Sequence, residues 1–142
     1  MAAVMNAPLY TVEILRLAAS LPEPVPLLRV DGCAEARSPT CGSVVRTEVT
    51  LAFDGRVQAL SQQVSACAFG QASAALVQKH AIGSDRQAVE GALGALIGWL
   101  GDGDELPRWG VTALAPARSR KPRHAAILLP FRALLAAMEE RK

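Results

Sequence analysis

The tightest constraint in this chain is the stretch from Val45 to Phe53 and the two residues that follow it. Val45, Thr47, Val49, Leu51 and Phe53 alternate with Arg46, Glu48 and Thr50, the two-residue period of a strand with one face buried. Asp54-Gly55 is a strong hairpin signal, and a returning strand runs from Arg56 to about Ser65 with Leu60, Gln62 and Val64 on one face. Upstream, Ser38-Pro39-Thr40-Cys41-Gly42 reads as a turn, and Leu27 to Val30 with Cys33 to Arg37 reads as a first strand bent at Asp31-Gly32. Residues 27 to 65 therefore predict an antiparallel meander, which needs a cover for its apolar face.

The rest of the sequence supplies that cover. Thr11 to Ser20 predicts a short amphipathic helix with Val12, Leu15 and Ala19 at helical spacing, halted by Pro22, Pro24 and Pro26. After the meander, Phe69, Ala72, Leu76 and Val77 form one helical stripe, closed by Gly83 as a left-handed cap. Ser84-Asp85-Arg86-Gln87 matches a capping box opening a helix through Val89, Leu93, Leu96, Ile97 and Leu100, ended by Gly101. A last helix from about Arg123 to Glu140 is driven by Ile127, Phe131, Leu134, Leu135 and Met138, with Pro130 bending it or lying in its first turns. The fold class expected is α+β: a three-stranded antiparallel sheet packed on one face by helices, in a single domain spanning residues 1–142.

Composition narrows the function classes. Half of the 142 residues are apolar and a fifth charged, so a packed globule is expected. No apolar run approaches the ~20 residues that cross a bilayer, and the first ten residues lack the basic start of a secretory signal, so the expected location is cytoplasmic, with no membrane partner. Positive charge concentrates in Arg118, Arg120, Lys121, Arg123 and His124, a cluster suited to nucleic acid, anionic lipid or an acidic protein, or simply to a solvated loop before a helix; one Tyr and no base-stacking motif argue against nucleic acid. Asp102, Asp104 and Glu105 do not have calcium-loop spacing, and His80 beside Lys79 suits a helix C-terminus.

Three cysteines, Cys33, Cys41 and Cys67, are an odd set for a reducing compartment, so no structural disulfide is expected; each alone reads as a buried small hydrophobe, and its setting decides whether it carries chemistry. Cys41 lies in the turn before the central strand, and Cys67 opens a helix at the end of the hairpin; the Asp54-Gly55 turn is nearly equidistant from both, so they flank the hairpin's open end. The thiolate is the form that binds metal or accepts sulfur. Cys33, eight positions before Cys41 in extended chain, reads as a structural, small apolar residue.

Ser-Pro-Thr-Cys41-Gly42, the hairpin with Asp54-Gly55-Arg56, and Ala66-Cys67-Ala68-Phe69-Gly70-Gln71-Ala72-Ser73-Ala74 resemble the NifU/IscU/SufU pattern of iron–sulfur cluster scaffolds, nearer its SufU-like branch. The resemblance implies a SufE/NifU-like fold, and a platform rather than an enzyme. It makes Cys41 and Cys67 the first two ligands of an iron–sulfur cluster, or of iron or zinc. The family's Asp two positions after the first cysteine falls on Ser43, and its third cysteine on Ala126, or on Ala125 if the register slips by one. In the slipped register His124 takes the place of the family's His or Lys and is a third candidate metal ligand. The ligand set is thus incomplete, to be made up by a partner, glutathione, water or a second copy in a homo-oligomer. Implied partners are a cysteine desulfurase and iron–sulfur client or carrier proteins. Two other readings stand beside the scaffold: a cluster-free adaptor that regulates a desulfurase, and a redox sensor with a reversible Cys41–Cys67 disulfide.

Overall fold

The computed structural model describes residues 10–39 and 42–139. In order, it contains helix α1 (Val12–Ala19), strands β1 (Gly32–Arg37), β2 (Val44–Leu51) and β3 (Val57–Ser65), helices α2 (Ala68–His80) and α3 (Arg86–Leu100), a 3-10 helix (Val111–Ala117) and helix α4 (Lys121–Glu139). The sheet is antiparallel in the order β1-β2-β3. Val45, Thr47 and Val49 on β2 stand opposite Val64, Gln62 and Leu60 on β3, and this face is buried under α4 and α2. The α+β architecture with helices on one face is the one the alternating pattern required.

The hairpin turn spans Ala52 to Gly55: the Gly55 amide donates to the Ala52 carbonyl (2.9 Å), the Ala52 amide to the Arg56 carbonyl (2.8 Å), and Gly55 takes φ +87°. β2 therefore ends at Leu51, and Phe53, expected on the buried face, is fully exposed at the tip. Leu27 to Val30 is not a strand. Side chains fasten this connector instead: Arg29 Nη2 donates to the Leu51 carbonyl (2.8 Å), the Leu51 amide donates to Asp31 Oδ2 (2.8 Å), and the Thr50 hydroxyl donates to the Arg29 carbonyl. Leu28 is left in solvent.

Thr11 caps α1, its hydroxyl accepting from the Ile14 amide at 3.1 Å. The buried stripe is Ile14 and Ala18, with Leu17 partly covered; the expected Val12 and Leu15 face outward. The cap of α3 is Asp85, whose Oδ1 accepts from the Ala88 amide at 2.8 Å, rather than Ser84. The expected stripe on α3 loses Ile97, 44% exposed, and gains Trp99, which is buried. Gly83 has the expected positive φ of +87°, but its amide goes to the Val57 carbonyl (2.8 Å), tying the end of α2 to the start of β3.

Helix α4 starts two residues earlier than expected and runs unbroken through Pro130, buried mid-helix. Pro130 has no amide hydrogen to give its preceding turn. One turn away, the Ser73 hydroxyl on α2 donates to the Ile127 carbonyl at 2.5 Å, binding the two helices together. α4 contacts β1, β2, α2 and α3, and its Ile127, Phe131, Leu134 and Met138 fill the core with Phe69, Leu96 and Leu114. The 3-10 helix had no periodic signal. Before it, Trp109 is held at φ +75° and stacks between His80 (6.4 Å between centroids) and Phe131 (5.4 Å). Among the described residues no helix is long and apolar enough to cross a membrane.

Candidate functional site

Three segments distant in sequence meet at the open end of the hairpin. The turn before β2 is closed by the Ser38 amide donating to the Ser43 carbonyl (2.9 Å) and the Gly42 amide to the Ser38 carbonyl (3.0 Å), with Gly42 at φ +71°. At the far end of β3, the Gln71 side-chain amide donates to the Ala66 carbonyl (3.0 Å) and holds the approach to Cys67. Cys67 is the N-cap of α2, half-buried, with no side chain capping the helix end. The first turn of α4 forms the third wall. Together Gly42, Ser43, Ser65, Ala66, Cys67, Pro122, Arg123 and Ala126 line a cleft of about 300 Å³.

At Gly70 a methyl group would lie 2.6 Å from the Ala66 Cβ, so only glycine lets the first turn of α2 pack this closely on its own lead-in segment, while the Ala126 Cβ of α4, at 3.6 Å, would be in ordinary contact. The same contact bears on the register of α4. Ala126 faces the cleft and is buried, while Ala125 does not line it.

The sequence-derived candidates are distributed as follows. Cys67, Ser43 and Ala126 share the cleft. Cys41 lies outside the described residues, immediately before Gly42 on the cleft wall. His124 is not among the lining residues. Its Nε2 lies 2.9 Å from the Ala117 carbonyl and 3.0 Å from the Arg118 carbonyl. Both partners are acceptors, so Nε2 carries the proton, and Nδ1 is the nitrogen left for a metal. Cys33 stands on the opposite, solvent-side face of the sheet, across from Glu48. Arg118 of the basic segment is structural: Nε donates to the Trp99 carbonyl (2.9 Å), Nη2 to the Gly103 carbonyl (2.8 Å), and the guanidinium lies 4.8 Å from the Trp99 ring centroid. Arg120 and Lys121 are exposed beside the cleft. Arg118's clamp carries no signal in the sequence, because it depends on contacts between distant elements.

A tetrahedral zinc or a cluster wants four donors, preferably thiolates. Ser43 offers a hydroxyl at most and Ala126 nothing, and among the described residues no three His, Cys, Asp or Glu side chains come together. The described residues do not close a resident metal site.

No protein-family model and no curated protein matches the chain. Solved structures do. The fold is that of a putative iron–sulfur cluster assembly scaffold protein for the SUF system from Fervidobacterium islandicum AW-1, at a TM-score of 0.80 and 15% identity over 92% of this chain and 96% of that one. A nitrogen-fixing NifU-like protein (N-terminal) from Brucella abortus is similar in sequence as well, with 30% identity, a TM-score of 0.84 and 92% of each chain covered. The chain belongs to the NifU/IscU/SufU family.

Proposed function

We propose that this protein is an iron–sulfur cluster assembly scaffold, or a sulfur and iron carrier, with no catalysis of its own. Cys67 or Cys41 accepts sulfur from a cysteine desulfurase, and the two thiolates hold a nascent cluster or metal as cargo. The observation that supports this reading is the meeting of Cys67 with Ser43 and Ala126, two family ligand positions, around one cleft. His124, the third candidate ligand by resemblance, does not line the cleft; the Ala117 and Arg118 carbonyls orient its Nε2, which leaves Nδ1 for a metal only if His124 is drawn toward the thiols when cargo is held. The remaining donors come from outside the chain. The working compartment is the cytoplasm.

An anaerobic titration with ferrous iron and sulfide, followed by visible absorbance, tests this. Charge-transfer bands in the wild type that vanish in Cys67→Ser support it. Ser43 and Ala126 favour a second reading, a cluster-free adaptor that binds a desulfurase and changes its rate. Absent bands together with tight desulfurase binding select that second reading.

A further inference from the structure

No described residue lining the cleft carries a carboxylate. The cleft's three converging segments, residues 38–44, 64–70 and 121–127, contain no Asp or Glu. They do contain two cations, Lys121 and Arg123, of which Arg123 lines the cleft and makes no ion pair among the described residues. Arg29, Arg37, Arg46, Arg56 and Arg86 each pair with a carboxylate and Arg118 is committed to backbone carbonyls; Arg16, Arg108, Arg120 and Arg132 also make no ion pair among the described residues, but only Arg123 lines the cleft. An uncommitted guanidinium, the exposed hydroxyl of Ser65 and the thiol of Cys67 thus line about 300 Å³ with no carboxylate among the described lining residues. Such a setting suits a small anion beside the thiol, because a guanidinium gives an oxyanion charge-assisted hydrogen bonds.

Resting on the reading that Cys67 accepts sulfur, we propose that the cleft takes that sulfur directly from a small anionic donor, a molecule with a transferable sulfane sulfur and an oxyanion head. Thiosulfate and the persulfide of a carboxylate-bearing thiol are the two sources of this chemistry. Arg123 holds the head, and the Cys67 thiolate attacks the outer sulfur. With thiosulfate, a sulfur–sulfur bond forms at Cys67 as the donor's own sulfur–sulfur bond breaks, and the electron pair leaves on sulfite. With the thiol persulfide the leaving group is the thiolate. Charge and atoms balance in both cases, and neither needs an oxidant or reductant. The transfer is stoichiometric, one sulfur per chain.

The test uses the reduced, chelator-treated full chain without desulfurase, exposed to thiosulfate or to glutathione persulfide, with mass mapping and sulfite assay. One added sulfur at Cys67, with one sulfite released per thiosulfate consumed, is the expected result. Arg123→Gln should slow loading about tenfold below saturation, the loss of a charge-assisted contact. A second measurement avoids sulfur transfer: the rate of Cys67 alkylation by anionic iodoacetate relative to neutral iodoacetamide, which should fall severalfold in Arg123→Gln. An unchanged ratio and loading rate in that variant overturn the proposal, as does loading at Cys33 in place of Cys67. If a desulfurase with cysteine loads Cys67 while neither small donor does, this inference falls and the sulfur-acceptor reading stands. If a small donor loads Cys67 and the desulfurase does not, the inference stands and the desulfurase is not the donor. If nothing loads Cys67, both fall. The source that saturates at the lower concentration is the one the cleft fits.

Discussion

Replacing Ala126 by cysteine tests the ligand geometry from the metal side. Ala126 is 1% exposed on the cleft wall, one helix packing distance from Gly70 and in the same cleft as Cys67. A structural zinc site contributes ~12 kcal/mol from four donors, so one added thiolate is worth ~3 kcal/mol when the others are in place. Placing a sulfur in this packed position costs about 1 kcal/mol in strain. The net of about 2 kcal/mol tightens zinc binding about thirtyfold. Ser43→Asp adds a harder oxygen donor at a position only 4% exposed, so its apo form is destabilised by a buried carboxylate. Combined with Ala126→Cys it should add about tenfold more affinity, one donor's worth less that penalty. Competition against a chromogenic chelator measures both, with circular dichroism to establish folding. Ala125→Cys is the register control and should gain nothing, since Ala125 does not line the cleft. Folded Ala126→Cys protein with wild-type zinc affinity, or a gain confined to Ala125→Cys, would refute the placement of α4 against Cys67.

Arg118→Ala removes two charge-assisted hydrogen bonds and a ring contact from the end of α3, so it should cost about 3 kcal/mol and about 10 °C in Tm; a fall under about 3 °C contradicts the clamp. Burial, and secondarily the charge on Lys79, holds the His80 pKa below its ordinary 6.5. The unfolded chain therefore takes the proton first on acidification: the contribution is complete above pH 6.5 and is lost as pH falls toward the lower folded value. His80→Gln should flatten that part of a Tm-versus-pH curve, and an identical curve rules the contribution out. Cys67 should be alkylated before Cys33 at neutral pH, as read by peptide mass mapping; the reverse order misplaces the site. Arg120→Glu with Lys121→Glu should weaken desulfurase binding in a salt-dependent way, whereas unchanged affinity at low salt returns this segment to plain solvent exposure.

The meander and the order of helices were legible because period-two and helical spacings report burial on one side, and Asp54-Gly55 marks a reversal wherever it stands. Failures came where several answers fit the same letters. Ser84 and Asp85 are both competent caps, and only the chain path chose Asp85. Phe53 continues the alternation of β2, yet the turn needs it as a central residue, and the turn prevailed. In α1, Val12 and Leu15 satisfy a helical period as well as Ile14 and Ala18 do, and contact with α2 decides between them. The place of Cys67 at a helix start was readable from the sequence. The choice between Ala125 and Ala126 was not, because one residue is a 100° turn of the helix and the deciding contact, Gly70, lies 56 positions away.

The way α4 closes the cleft also sets an order of events during synthesis. Cys67 and the turn before β2 emerge together with the hairpin, a local structure, but the third wall follows some fifty residues later and docks on elements already formed. Until it does, the thiol has no enclosing surface, and the apolar face of β1 and β2 has no cover. A ribosome-bound chain ending before Lys121 therefore carries Cys67 without the third wall of its cleft. On the scaffold reading proposed above, cargo loading would follow folding and wait for the docking of the final helix.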